Sequence, residues 1–322
     1  MGRWHGAAAQ RAGARVLAVV DPDAQSGARL AKRFGATALT DIGQLFEHVP
    51  LPVVAHVCTP AASHVALAEL LLQRGLHVVC EKPLALDAGS VARLYAAARA
   101  AGRQLCPVHQ FAAQRGFTQA LAQLPSLGTL CRIAFVFHSA GGSGNPADSH
   151  DTLVAEIVPH PLSLLARLQP GLPLQSIDWT VRSPLPGEWL AIGSHGTATV
   201  SIAISLSARP TEARAVIAGS AGTIGLDFFH GFATVGRGAP SRGDKMLRPF
   251  AAALTQLGAA SRNAGRRAWS RESAYPGLRT LLERFYRALA DPGSAMPFAE
   301  AEVIEVYAAC DRLAAATREV RQ

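Results

Sequence analysis

Five short segments of this 322-residue chain carry residue types that can do chemistry. Asp21 closes the apolar run 14–20, where a carboxylate can accept hydrogen bonds from an adenosine ribose and repel a 2′-phosphate. The same Asp21-Pro22-Asp23 triplet is also ordinary turn chemistry. Thr59-Pro60-Ala61-Ala62-Ser63-His64 follows the run 53–58, and Glu81-Lys82-Pro83 follows the run 76–80. A lysine just past a strand can reach a cofactor ribose or a substrate hydroxyl, although taken alone it is equally a surface lysine. Glu156 and His160 are four residues apart, so on one helix they share a face. There the carboxylate can hold the tautomer of an imidazole able to exchange a proton near neutral pH. Pro159 and Pro161 flank that histidine, so the shared face holds only if the helix survives them. Gly2 precedes Asp21 by nineteen residues, close to the ~20 that separate a phosphate-binding glycine turn from its acidic partner. It therefore reads as the third glycine of G-x-G-x-x-G.

These residues need elements to position them. Apolar runs at 14–20, 53–58, 76–80 and 104–108 predict strands, and 7–11, 26–34, 64–73 and 88–101 predict helices, with Gly35 and Gly75 as stops. Strand, turn and helix recur with short connections, which predicts a doubly wound parallel sheet of Rossmann type. Ligands bind such sheets at the carboxyl ends of the strands, where Asp21, Thr59 and Lys82 fall. Beyond residue 125 the segments 130–138, 197–205 and 213–218 read as β, with no helix between the last two. That predicts an α/β domain on an open, mainly antiparallel sheet, with helices at 152–168, 277–289 and 299–315. The expected division is a dinucleotide-binding domain over 1–108 and a substrate and oligomerisation domain over 109–322.

Composition bounds the function. Hydrophobic residues make up 49% of the chain and charged residues 17%, which excludes wholesale disorder and collagen-like repeats. No stretch approaches the ~20 consecutive apolar residues of a membrane span, and the first apolar run is too short for a signal peptide, so a soluble cytoplasmic protein is expected. The five cysteines form no C-x-x-C pair and read as reduced thiols. No three ligands stand at metal spacing, so no metal is expected. The net charge is +8, and part of the excess is local: Arg237, Arg242, Lys245, Arg248, Arg262, Arg266, Arg267 and Arg271. Beside them Leu247, Phe250, Leu254 and Leu257 fall at helical spacing. Such a helix either lies on a membrane surface or packs on its own domain with a solvated polar face. There is no nucleic-acid recognition module and no integral membrane segment.

In combination, a strand ending in Asp21, a strand followed by Thr59-Pro60 and His64, and a strand followed by Glu81-Lys82-Pro83 resemble the Gfo/Idh/MocA oxidoreductase family. Gly2 to His5 fits that family's G-x-x-H. The resemblance is specific over residues 2–110 and holds at pattern level beyond. It implies a two-domain, NAD-linked dehydrogenase acting on a sugar, cyclitol or related polyol, with Asp21 favouring NAD over NADP. It places Lys82 beside nicotinamide and substrate, and Gly2, Thr59, Pro60, His64 and Glu81 at the cofactor. Gln110 lies in His109-Gln110-Phe111, a loose match to the family's G-x-N-x-R-F segment. Glu156, His160 and Ser163 match D-x-G-x-H-x-x-D with both aspartates replaced, which gives His160 the acid–base role and makes Glu156 its orienter. Those replacements and the flanking prolines leave a second reading open, a binding or scaffold subunit without catalysis. The resemblance also implies a small-molecule substrate and a homo-oligomer.

One expectation concerns the first residues. In the Rossmann order 3-2-1-4-5-6 the first strand is central. Met1-Gly2-Arg3-Trp4-His5 begins at the third-glycine position, so this sequence is expected to lack that strand and its two glycines, and the cellular protein is expected to be longer. Two strand edges would then be unpaired inside the sheet.

Overall fold

The computed structural model describes residues 1–48, 53–146, 149–237, 242–272 and 274–321. The chain divides into two compact units, Met1–Val108 with Leu278–Ile304, and His109–Gly277 with Glu305–Gln322.

The first unit alternates helix and strand: α1 (Gly2–Arg11), β1 (Ala18–Val20), α2 (Ala24–Phe34), β2 (Thr37–Leu39), α3 (Ile42–His48), β3 (Val54–Val57), α4 (His64–Gln73), β4 (His77–Cys80), α5 (Ala88–Ala100) and β5 (Leu105–Pro107). Every ladder is parallel. Ala18 stands opposite Thr37, Val54 opposite His77, and Val78 opposite Leu105. Val78, Val79 and Cys80 are fully buried, as expected of a parallel strand covered on both faces. Local chemistry sets the helix ends. The Asp23 carboxylate accepts the Gln25 N–H at the start of α2, and Gly35, at φ 64°, closes it in the left-handed region.

Three sequence expectations need correction here. The first strand begins at Ala18, not at 14, because the chain leaves α1 through a turn at Gly13 whose φ is +89°. α1 begins at Gly2, not at 7, so the glycine-position residues are themselves helical. β2 and α3 occupy a stretch for which the sequence suggested no element. The strands form two ladders, β1–β2 and β3–β4–β5, and none among the described residues joins them.

The second unit contains α6 (Arg115–Gln123), β6 (Leu130–His138), α7 (His150–Ile157), α8 (Pro159–Leu168), β7 (Asp178–Leu185), β8 (Glu188–His195), β9 (Ala198–Ser205), β10 (Glu212–Gly219), β11 (Gly222–Asp227), β12 (Phe232–Arg237) and α9 (Arg242–Trp269). Its seven strands run in the order β12-β11-β10-β6-β9-β8-β7, with only β6–β9 parallel. Alternation gives the sheet two faces. Ile133, Phe135, Phe137, Val200, Ile202, Ala215 and Ile217 are buried on one, whereas Ala134, Val136, Ala203 and Val216 on the other are half-buried or exposed. The helix expected over 152–168 is divided at Val158. Val158 keeps helical angles (φ −51°, ψ −37°), and Pro159 takes the first position of α8, where its missing N–H removes no intrahelical bond.

Two helices close the chain, α10 (Leu278–Ala290) and α11 (Glu300–Arg321). The sequence assigned everything after 108 to one domain, yet α10 falls in the first unit: it packs on α1, and its Leu278, Leu281, Leu282 and Phe285 are buried. Among the described residues no helix is long and apolar enough to cross a membrane.

Candidate active site

In the first unit the sequence-predicted residues collect at the carboxyl ends of parallel strands. Asp21 directly follows β1 and accepts the Asp23 N–H at 2.9 Å, which fixes the carboxylate in a tight Asx turn. Gly27 of α2 stands behind it, and a Cβ there would lie 3.2 Å from the Asp21 Cβ, so the glycine lets α2 approach this close. Gly2 opens α1, and its missing side chain faces Leu30 of α2 at 3.2 Å. Gly6 is tighter, because a Cβ would meet the Phe34 ring at 2.3 Å. These glycines serve close packing of α1 on α2.

Thr59 and Pro60, both exposed, follow β3. The Ser63 hydroxyl lies 2.7 Å from Thr59 Oγ1 and 2.8 Å from the Pro60 carbonyl oxygen, which folds the segment back before α4 begins. His64 is buried, with Nδ1 2.7 Å from the Pro83 carbonyl oxygen and Nε2 2.8 Å from that of Thr59. Its ring therefore ties the Thr59-Pro60 turn to the Glu81-Lys82-Pro83 turn after β4. Glu81 is buried. Its Oε1 lies 2.9 Å from His5 Nε2, and its Oε2 accepts the Lys82 backbone N–H at 3.2 Å. Lys82 is half-buried beside it.

The second unit holds the other three residues. Gln110 is buried, and its Oε1 has no hydrogen-bond partner among the described residues. A buried carbonyl left in that state is costly, so it can accept an N–H or O–H that reaches it. His160 is buried in α8, its ring centroid 4.6 Å from that of Phe111 and 6.4 Å from that of Phe137. Because the backbone stays helical through Val158, the four-residue spacing keeps half-buried Glu156 on the side of the turn that carries His160. The Ser163 hydroxyl donates to the His160 carbonyl at 2.8 Å, so this residue closes its own turn where the family has its second aspartate.

Residues 1–109 match the family described as "Oxidoreductase family, NAD-binding Rossmann fold", Gfo/Idh/MocA. Over these residues the chain resembles the Gfo/Idh/MocA family. It is similar to inositol 2-dehydrogenase 4 of Saccharopolyspora erythraea, 37% identical over 97 residues, a match covering 30% of this chain and 28% of that relative. Among solved structures it is similar to UDP-N-acetylglucosamine 3-dehydrogenase GnnA from Acidithiobacillus ferrooxidans, with a TM-score of 0.72, 18% identity, and coverage of 100% of this chain and 96% of that one. It is also similar to levoglucosan dehydrogenase in complex with NADH and levoglucosan, with a TM-score of 0.74, 14% identity, and coverage of 99% and 95%. The likeness in fold to these structures therefore extends over both units, a Rossmann-like parallel sheet and a mainly antiparallel seven-stranded one.

Sequence reasoning passed over residues that shape this candidate site. Gly27 was legible in principle, as a glycine inside a helix beside the strand-end acid. His5 was read only as a motif match, and its contact with Glu81 has no local signal. Among the described residues no group of three metal-ligating side chains comes together.

Proposed function

We propose that this protein is an NAD-dependent dehydrogenase acting on a hydroxyl-bearing carbon of a sugar, cyclitol or related polyol. The observation that carries the reading is the convergence of Asp21, Thr59, Pro60, Glu81 and Lys82 on the strand ends of a unit that matches an NAD-binding family. The similar proteins are dehydrogenases of inositol, UDP-N-acetylglucosamine and levoglucosan, which supports a polyhydroxylated ring as substrate.

The donor set suits a dinucleotide. Asp21, held by its Asx turn, accepts the ribose hydroxyls and disfavours a 2′-phosphate, which selects NAD over NADP. Gly2, Thr59, Pro60 and Glu81 border the cofactor, His64 holds their turns together, and Gln110 offers its unpartnered carbonyl. When bound, the nicotinamide supplies the hydride acceptor at C4. Lys82 positions the substrate hydroxyl and His160 takes its proton, an exchange that typically contributes ~10²–10⁴-fold. Glu156 orients the imidazole. For partners, the half-exposed sheet face built from Ala134, Val136, Ala203 and Val216 supports self-association, and the amphipathic α9 supports peripheral contact with an anionic membrane surface. The five free thiols suit a reducing cytoplasm.

Titration with NADH tests the reading directly. Enhanced nicotinamide fluorescence and a rise in Tm are expected, followed by turnover of NAD with one member of a panel of sugars, cyclitols and nucleotide sugars. A flat response to NAD(H) overturns the dehydrogenase and leaves the scaffold subunit.

A further inference from the structure

Three titratable side chains that the proposed chemistry does not use, His5, His56 and Tyr286, form with Glu81 one continuous hydrogen-bonded line inside the first unit. Glu81 Oε1 lies 2.9 Å from His5 Nε2, His5 Nδ1 lies 3.0 Å from His56 Nδ1, and His56 Nε2 lies 2.8 Å from the Tyr286 hydroxyl. The line crosses four elements: the turn after β4, α1, β3 and α10. His5 and Glu81 are buried, at 2% and 7% exposure, and His56 and Tyr286 are partly buried. A buried polar chain of this kind destabilises the fold unless each member is satisfied, so its geometry is constrained throughout.

With Glu81 ionised and His56 neutral, two proton arrangements satisfy all three contacts. In one, His5 is an imidazolium that donates from Nε2 to Glu81 and from Nδ1 to His56. His56 is then neutral, carries its proton on Nε2, and donates to the Tyr286 oxygen. In the other, the line holds one proton fewer. Tyr286 donates to His56 Nε2, His56 donates from Nδ1 to His5, and His5 keeps a single proton on Nε2 facing Glu81. One proton gained or lost at His5 therefore reverses the tautomer of His56 and the direction of the Tyr286 hydrogen bond.

We propose that His5, His56 and Tyr286 are positioning residues that hold the Glu81 carboxylate, and through it the Lys82 turn, in place for the cofactor. The proposal rests on the reading of Lys82 as a site residue, because Glu81 Oε2 receives the Lys82 backbone N–H. The electrostatics favour the charged arrangement. Burial pulls the His5 imidazole down, but the Cys58 thiol and the Glu81 carboxylate facing it outweigh burial and raise it to about 9. Burial, then the adjoining His5 charge, lowers His56 to about 3, and burial together with Cys106 on β5 raises the Tyr286 phenol. Cys80 on β4 is raised by burial, then by Cys58 and Glu81, so it stays a neutral thiol beside the line.

The experiment is a pH titration of ¹⁵N-histidine-labelled full chain by NMR, with NADH affinity measured by fluorescence over the same range. In the wild type the His5 resonance should titrate well above the free value of ~6.5, with His56 neutral and protonated on Nε2. His56→Leu removes the acceptor of the His5 Nδ1 proton. It should lower the His5 midpoint by about one pH unit or more, and move the loss of NADH binding to lower pH by the same amount. Tyr286→Phe, which keeps the ring in place, should shift both in the same direction by less. A wild-type His5 midpoint near 6.5, or one unmoved by His56→Leu, overturns the relay. If the His5 midpoint moves as expected while NADH fails to bind even the wild type, the line exists but the dehydrogenase reading falls. If NADH binds and its pH dependence is the same in all three proteins, the positioning role falls and the dehydrogenase stands.

Discussion

His160 and Asp21 are the residues on which the proposed chemistry turns, and each makes a separable prediction. His160 is held by Phe111 and Phe137, so replacing its ring leaves an aromatic pocket intact and removes only the group that exchanges a proton. His160→Ala should therefore reduce kcat by ~10²–10⁴-fold in steady-state turnover while NADH affinity stays unchanged; near-wild-type turnover refutes the assignment. Asp21 acts by charge. Two like charges ~4 Å apart in water cost each other ~1 kcal/mol, so Asp21→Ser should improve NADP relative to NAD by about fivefold in kcat/KM. An unchanged ratio shows that another group reads the ribose. Both residues were singled out by local signals: an acid closing an apolar run, and a histidine four residues from a carboxylate. Tyr286 was not legible, since 230 residues separate it from His56, and no local pattern announces a hydroxyl that pairs only after two distant elements have packed.

At the scale of elements, caps and close packing decide where the strand-end turns sit. Asp87 caps α5, directly after the Glu81-Lys82-Pro83 turn. One carboxylate oxygen accepts the Ser90 N–H at 2.7 Å and the other the Ser90 hydroxyl at 2.6 Å. Asp87→Ala should lower stability at neutral pH by about 1 kcal/mol in denaturant unfolding, and a change within error shows the cap to be inert. The Ser90 hydrogen bonds, side chain first and backbone second, hold the Asp87 carboxyl below its usual value. Its contribution is therefore fully present above the unfolded-state pKa of ~3.9 and is lost as pH falls through the lower folded value, so the gap between wild type and variant should close in acid. Gly6 is the steric counterpart. With the Phe34 ring 2.3 Å from any added Cβ, Gly6→Val should lower Tm, and an unchanged Tm means that α1 shifts freely against α2. Elements with strong local punctuation were read correctly, such as α4 before its stop at Gly75 and the alternating β6. β2, α3, β7, β8, β11 and β12 were passed over, because short strands whose burial comes from neighbours far along the chain carry little periodicity of their own. The membership of α10 in the first unit was hidden for the same reason.

At the scale of the whole molecule, surface apolarity bears on what the protein meets. In α9 the side chains of Met246, Leu247, Phe250, Leu254 and Leu257 are 64–78% exposed, where a helix packed on its own domain would bury such a stripe. The far end of the helix is anchored, where Asn263 donates to the His230 carbonyl beside β12. Lys245, Arg248 and Arg262 add positive charge to the same helix. Fully burying one Leu or Phe yields ~1.5–3 kcal/mol, and each cation near an anionic bilayer adds ~1 kcal/mol, so in the proposed membrane contact apolar insertion would dominate and charge would select the lipid. Two consequences separate this surface from the half-exposed sheet face proposed for self-association. Phe250→Ser with Leu254→Ser should abolish co-sedimentation with phosphatidylserine vesicles while leaving the oligomeric mass in sedimentation equilibrium unchanged. Raising salt from 0.05 to about 0.5 M should weaken vesicle binding without abolishing it, because only the electrostatic part is screened at a Debye length of a few ångström. If the double variant instead lowers the mass and the wild type ignores vesicles, α9 pairs with a second copy of the chain and the membrane contact is refuted.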